Sequence, residues 1–209
     1  MTFFSSLALL LNEHGLRTTH ISNGNPNCTF PVMKKGAKKP PYWLLYVRII
    51  GLRRRGGRKV LLKFLPHKLV RPKGRPPPIS ESELIGSNML KRVAKGSVVF
   101  SDGAKAYHNL IKKSFMGKIM SRQVSHKNME FTKKVSTPAG HSKKGGTQCI
   151  DGTWKHLGRF VSHALHTKDG QRPCKRINPA LESRVNKWMW RSNHRGDDGF
   201  RLVGKLFKL

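Results

Sequence analysis

Acid is the scarcest commodity in this chain. Ten Asp and Glu stand against 42 Lys and Arg in 209 residues, a formal charge of +32 and a pI near 11.1. From His14 to Ser80 there is not one carboxylate side chain. Such a field resists compaction and attracts polyanions, which points to nucleic acid as the partner and gives no sign of a small-molecule substrate. Measured against the positive charge, acid is the scarce group; in bare number cysteine is sparser still. Cys28, Cys149 and Cys174 are odd in number and lack CxxC spacing, which argues against a disulfide framework or a zinc ribbon and favours a reducing compartment. His163 and His166 lack the close Cys pair and spacing of a zinc finger. No apolar run approaches the roughly 20 residues of a membrane helix, so no membrane association is expected. The short run Phe3, Phe4 and Leu7 to Leu11 has neither a basic flank nor a small-residue cleavage site. We therefore expect no secretion, which leaves the sequon Asn27-Cys28-Thr29 idle. The expected location is the nucleus in a eukaryote, otherwise the cytoplasm or nucleoid.

With 37% hydrophobic residues the chain can still build a core of moderate size. Its basic clusters KKGAKK, RRRGGRK and RPKGR are interrupted by YWLLYVRIIGL (42–52) and VLLKFL (60–65). These two β-branched and aromatic runs flank a basic turn containing Gly56-Gly57 and predict a β-hairpin. Pro76, Pro77 and Pro78 end regular pairing. Ile79 to Val93 then predicts a helix, with Ser80 as its cap and Glu83 as the capping-box partner. Ser97 to Ser101 predicts a strand, Ala104 to Lys113 a helix, and Lys118 to Val124 a further strand. The polar, basic stretch Lys127 to Gly146 predicts a mobile loop. Trp154, Leu157, Val161 and Leu165 line one face of a helix from about Thr153 to His166, and Asn178-Pro179 starts a last helix. No internal repeat is apparent. Strands alternating with helices in this order predict an α/β domain over 41–195, with a partly irregular basic arm at 1–40 and a basic tail at 196–209.

One ordered series carries more than composition does: SVVFSDGAKAYHNL, then VSHKNMEF, then GTQCIDGTWKHLGRF. A β-branched run ends on Asp102-Gly103, a short amphipathic helix with Tyr107 follows, and Asp151 precedes a Trp-bearing helix. The series resembles the catalytic domain of small insertion-sequence transposases and their eukaryotic Merlin relatives, over about residues 42 to 193. The resemblance implies a ribonuclease H-like fold with a mixed sheet flanked by helices. It also implies three carboxylates holding two Mg²⁺ or Mn²⁺ ions, DNA as partner and a homo-oligomer. Two ions about 3.5 to 4 Å apart would activate the attacking oxygen and stabilise the leaving one, and hard cations of this kind take oxygen ligands. By position Asp102 matches the second carboxylate and Asp151 the third, where the family usually has Glu. His126 matches a family histidine between them, and Lys155 and Arg159 fall where the following helix meets DNA. The first carboxylate is expected near Asn25 to Phe30, where this chain has only Asn27 or Cys28 to offer. DNA cleavage and strand transfer are accordingly expected to be weakened or lost.

Each residue also has a plain structural role. Asp102 suits an Asp-Gly turn or the cap of the next helix, and Asp151 the cap of its own. Trp154, Trp188 and Trp190 suit a core better than a base-stacking platform. For Arg53, Arg54, Arg55 and Lys105, with so few acids to pair them, phosphate contact is the stronger role. Such contacts position a protein on nucleic acid without reading its sequence. A basic ribosomal or organellar RNA-binding protein would account for the charge but not for the series from Asp102 to Trp154.

Overall fold

The computed structural model describes residues 8–22, 35–36, 38, 40, 42–71, 74, 78–102, 104–114, 118–125, 128, 130, 132–136, 142–165 and 179–197. Five strands form one sheet: β1 (Ala8–Ser22), β2 (Tyr42–Arg54), β3 (Val60–Val70), β4 (Ser97–Ser101) and β5 (Ile119–Gln123), in the order β3-β2-β1-β4-β5. β1 pairs antiparallel with β2 and β2 with β3, whereas β1 pairs parallel with β4 and β4 with β5. That strand order, with those senses, is the ribonuclease H-like sheet, and the expected fold class holds. Among the described residues four helices flank it: α1 (Glu81–Ser87), α2 (Lys105–Ser114), α3 (Gln148–Leu165) and α4 (Pro179–Asn193).

Two apolar clusters sit on the two faces of the sheet. Val47, Ile49, Val98 and Phe100 pack with Trp154, Leu157 and Val161 of α3 and Leu181 and Val185 of α4. Ile50, Leu52 and Val99 pack with Leu84 of α1 and Tyr107, Leu110 and Ile111 of α2. The period of two along a strand sorts the sequence into these layers: 47 and 49 point one way, 50 and 52 the other. β2 is apolar on both faces because both are covered, which is why it reads as a continuous hydrophobic run.

The hairpin, the strand at 97–101, the helix expected at 104–113, the strand expected at 118–124 and the last helix lie where expected, and the remaining elements differ in instructive ways. Within 1–40, where we expected an arm, residues 8–22 form the middle strand of the sheet. The helix predicted to Val93 stops at Ser87: Asn88 turns left-handed at φ 54° and donates its N–H to the Ile85 carbonyl at 3.0 Å. A 3-10 turn at Leu90–Arg92 then keeps Met89, Leu90 and Val93 buried. The capping box is present as predicted, with Glu83 N–H donating to Ser80 Oγ at 3.3 Å and Ser80 N–H to Glu83 Oε2 at 2.9 Å.

Inside the stretch expected to be a mobile loop, β6 (Lys133–Ser136) and β7 (Ser142–Gly145) pair as a small antiparallel ribbon. Two contacts fasten it to the main sheet. Val135 enters the α3-side core, and Gly145 lies so close to Phe100 that a Cβ there would sit 2.3 Å from the ring. The helix expected from Thr153 begins at Gln148, where the buried Thr147 accepts the Ile150 and Asp151 N–H groups on its carbonyl at 2.9 and 3.1 Å. Asp151 is therefore inside the first turn and not the cap.

Candidate carboxylate site and basic surface

The sheet register locates the candidate site. β1 and β4 are matched at Leu10 with Phe100 and at Leu11 with Ser101, and Asn12 and Asp102 are the residues that follow the last match. On β2, Asn12 is matched with Gly51. Asp102 follows Phe100 by two positions, and Gly51 follows Ile49 by two, which puts this place on the α3 face of the sheet. Gly51 is needed there: a Cβ would lie 2.5 Å from Trp154 Cη2. Asp151 lies three residues before Trp154 on the same helix. The end of β4, the middle of β1 and the start of α3 thus gather on one face of the sheet.

Arg53 explains how the start of α3 is held. Its Nη1 donates to Thr153 Oγ1 at 2.7 Å and to the Cys149 carbonyl at 3.1 Å, and the Thr153 hydroxyl donates to that same carbonyl at 3.0 Å. The basic-cluster reading placed Arg53 on phosphate, whereas its Nη1 is committed to positioning α3. Nothing in the run RRRGGRK distinguishes this arginine from its neighbours; only the register, which places position 53 on the same face as 51, does so.

Asp102 is half-buried, and its Oδ1 accepts the Ala104 N–H at 3.4 Å, the weak turn bond anticipated for Asp-Gly. The stretch Asn25 to Phe30, where we sought the first carboxylate, lies outside the described residues, as do His126, His166 and Cys174. β1 offers another strand for that position, with Asn12 as the residue after its last match with β4. The acid next to it, Glu13, is matched with Ile50, a position on the α1 and α2 face. Among the described residues no group of three His, Cys, Asp or Glu is placed to hold a metal ion. Two carboxylates and an amide do not supply the shared negative oxygens that a two-ion site requires.

The remaining basic candidates are spread over the molecule. Arg54 is half-buried and Arg55 exposed in the turn after β2, Lys105 is exposed at the start of α2, and Lys155 and Arg159 are exposed one helical turn apart on α3. Lys105 belongs to the helical layer opposite α3, so these residues do not share one helix face. Trp154 is buried as expected and Trp188 is half-buried, but Trp190 is 46% exposed and tilted over His194 with centroids 4.9 Å apart.

No protein-family profile and no curated protein matches the chain. Among solved structures it is similar to the Mos1 strand transfer complex, at 13% identity and a TM-score of 0.33, covering 92% of this chain and 48% of the other. It is also similar to the Mos1 transposase paired-end complex with the left transposon end, at 12% identity and TM-score 0.34, covering 90% and 51%. The mariner Mos1 paired-end complex with Mg gives 9% identity and TM-score 0.32, covering 91% and 56%. The chain spans about half the length of these proteins. Superpositions this loose carry no argument about activity, and the fold assignment rests on strand order and sense alone.

Proposed function

We propose that this chain is a transposase-derived DNA-binding protein in which metal-dependent cleavage and strand transfer are weakened or lost. The observation that carries the proposal is the place of β1 between β2 and β4: the residue after its last match with β4 is Asn12 and not an acid. The ordered series from Asp102 to Trp154 and the charge of +32 support it. Asp102 and Asp151 are the oxygen donors that would bind a divalent ion such as Mg²⁺ or Mn²⁺. With no carboxylate at position 12 the set does not fit a two-ion centre, and no cleavage step is assigned to it. Lys105, Lys155, Arg159, Arg54 and Arg55 serve as phosphate contacts, which give affinity and orientation without base readout.

The test measures binding and chemistry separately on the full chain. Binding of a labelled DNA duplex, a single-stranded DNA and an RNA of equal length is followed as salt is varied. Cleavage of the duplex is assayed with Mg²⁺ and Mn²⁺, and calorimetry compares the parent with Asp102→Ala and Asp151→Ala. Duplex binding with a steep salt dependence and no cleavage is expected. Tighter binding to RNA than to DNA would overturn the DNA assignment. Metal-dependent cleavage lost in both alanine variants would overturn the proposed loss of chemistry.

A further inference from the structure

A cleft of about 490 Å³ opens between the β2–β3 turn and the end of α4, lined by Arg53, Arg58, Ser192, Arg195 and Gly196. Its two walls come from distant parts of the chain and are fastened together. Asn193 at the last position of α4 accepts the Val60 N–H on Oδ1 at 2.7 Å and donates from Nδ2 to the Val60 carbonyl at 2.9 Å. β3 is an edge of the sheet, so the asparagine amide pairs with the outward groups of Val60 as a neighbouring strand would. Arg58 donates from Nη1 to the Arg195 carbonyl at 2.8 Å, closing the other end. Gly196, at φ +88°, lets the chain turn there, and a Cβ on it would sit 3.0 Å from Arg58 Nη1.

Three guanidinium groups therefore line one cleft, and among the described residues none of them forms an ion pair with a carboxylate. Arg53 has its Nη1 held by α3, so Arg58 and Arg195 are the guanidinium groups left to meet an anion in the cleft. Guanidinium groups gathered without counter-charge repel one another unless an anion joins them, and their planar donors match the oxygens of a phosphate. Ser192 adds a hydroxyl to the lining. We infer that this cleft binds a backbone phosphate of duplex DNA, a contact that the basic clusters of the sequence did not identify because Ser192 and Arg195 lie more than a hundred residues from Arg53 and Arg58. The inference rests on the DNA-binding function proposed above.

The test uses the full chain and a fluorescein-labelled duplex of arbitrary sequence, with affinity measured from low to moderate salt. Arg195→Gln removes one guanidinium and leaves the carbonyl that holds Arg58; Arg58→Ala removes a second. Lys91→Ala with Lys95→Ala removes two exposed charges elsewhere. Each phosphate contact contributes about 0.9 to the slope of log affinity against log salt. The combined cleft variant is therefore expected to lose about 1.8 of that slope and roughly tenfold in affinity at moderate salt. The lysine pair is expected to lose much less. Equal losses in the two double variants, or none in the cleft variant, would overturn the cleft while leaving DNA binding intact. A parent chain that does not bind duplex DNA would overturn both. Thermal melting of each variant, with Arg195→Gln alone as the least disruptive, separates a lost contact from a lost fold.

Discussion

Glu83 is the residue whose removal should be felt furthest. One oxygen, Oε1, lies 2.7 Å from Arg48 Nη1 and 3.1 Å from Lys68 Nζ, while Oε2 accepts the Ser80 N–H at 2.9 Å. Arg48 is fully buried in the middle of β2, and the Glu83 side chain is only 12% exposed. Removing the acid takes from the buried guanidinium its acceptor at Oε1, and breaking buried pairs indicates about 3 to 5 kcal/mol. Loss of the capping interaction adds about 1 kcal/mol. Against a total stability of about 5 to 15 kcal/mol for a domain, Glu83→Ala should unfold a large part of the population at modest urea. Glu83→Gln keeps an acceptor for the Ser80 N–H and loses only charge, so it should fall between. Replacing both residues, Arg48→Met with Glu83→Leu, should lose less than Glu83→Ala, because the buried guanidinium is removed together with the acid that faces it. Urea unfolding of the four proteins without nucleic acid measures this. A Glu83→Ala penalty under about 1 kcal/mol would refute the reasoning, since it would mean that water solvates Arg48 at little expense.

The same residue predicts a pH dependence. Burial raises the Glu83 pKa, but the hydrogen bond from Ser80 and the Arg48 and Lys68 charges together outweigh it, so the carboxyl is held below its ordinary 4.5. A depressed folded pKa means the unfolded chain takes up protons first on acidification. The contribution is thus fully present above about pH 4.5 and is lost as pH falls through the lower, folded value. Glu83→Gln should flatten that part of the stability curve.

Three further predictions concern the site and its supports. Gly51→Ala forces a methyl to within 2.5 Å of the Trp154 ring and should destabilise by roughly 1 to 3 kcal/mol, with a red-shifted tryptophan emission; an unchanged melting curve would mean α3 does not rest there. Asn193→Ala removes two hydrogen bonds from the β3 edge and should lower stability by about 2 kcal/mol, read by urea unfolding, whereas Asn193→Gln, one methylene too long for the pair, should recover little of it. Asn12→Asp adds a carboxylate at the residue after the Leu11–Ser101 match and should raise Mg²⁺ or Mn²⁺ affinity in calorimetry, an increase that Asp102→Ala must abolish if the two positions share the ion.

What was legible in the chain follows from how strongly each segment signals its own structure. SVVFS is short, β-branched and bounded by Gly and Asp, and it is a strand with its stated ends. Ser80 and Glu83 announce a cap through side chains that act within one turn, so that feature needs no tertiary context. The helix end at Asn88 was missed because apolar positions continue at helical spacing through Val93, packed by a 3-10 turn instead. β1 was missed for a different reason. Its leucines alternate with nothing polar, and HGLRTTHIS adds a glycine and several short polar residues, so neither period stands out. The pairing with β2 and β4 on both sides makes it a strand. β6 and β7 carry one buried valine among lysines, and their place is set by Phe100 and the α3 core, which no local pattern contains.

β1 bears on the first carboxylate as well. The stretch Asn25 to Phe30 lies outside the described residues, and β1 at 8–22, paired on both sides, offers another strand for that position, with Asn12 as the residue after its last match with β4. Asn and Asp are nearly the same size and both can accept a hydrogen bond, so the sheet has no steric reason to reject either. Electrostatically they are far apart: a neutral amide oxygen cannot offset the charge of two divalent ions held close together. On the function proposed above, the absence of one carboxylate leaves the fold, the core and the arginines untouched. The charge of +32 that attracts a polyanion does not depend on position 12 either. DNA binding and DNA cleavage would then be separable by a single side chain, which the Asn12→Asp measurement and the cleavage assay test.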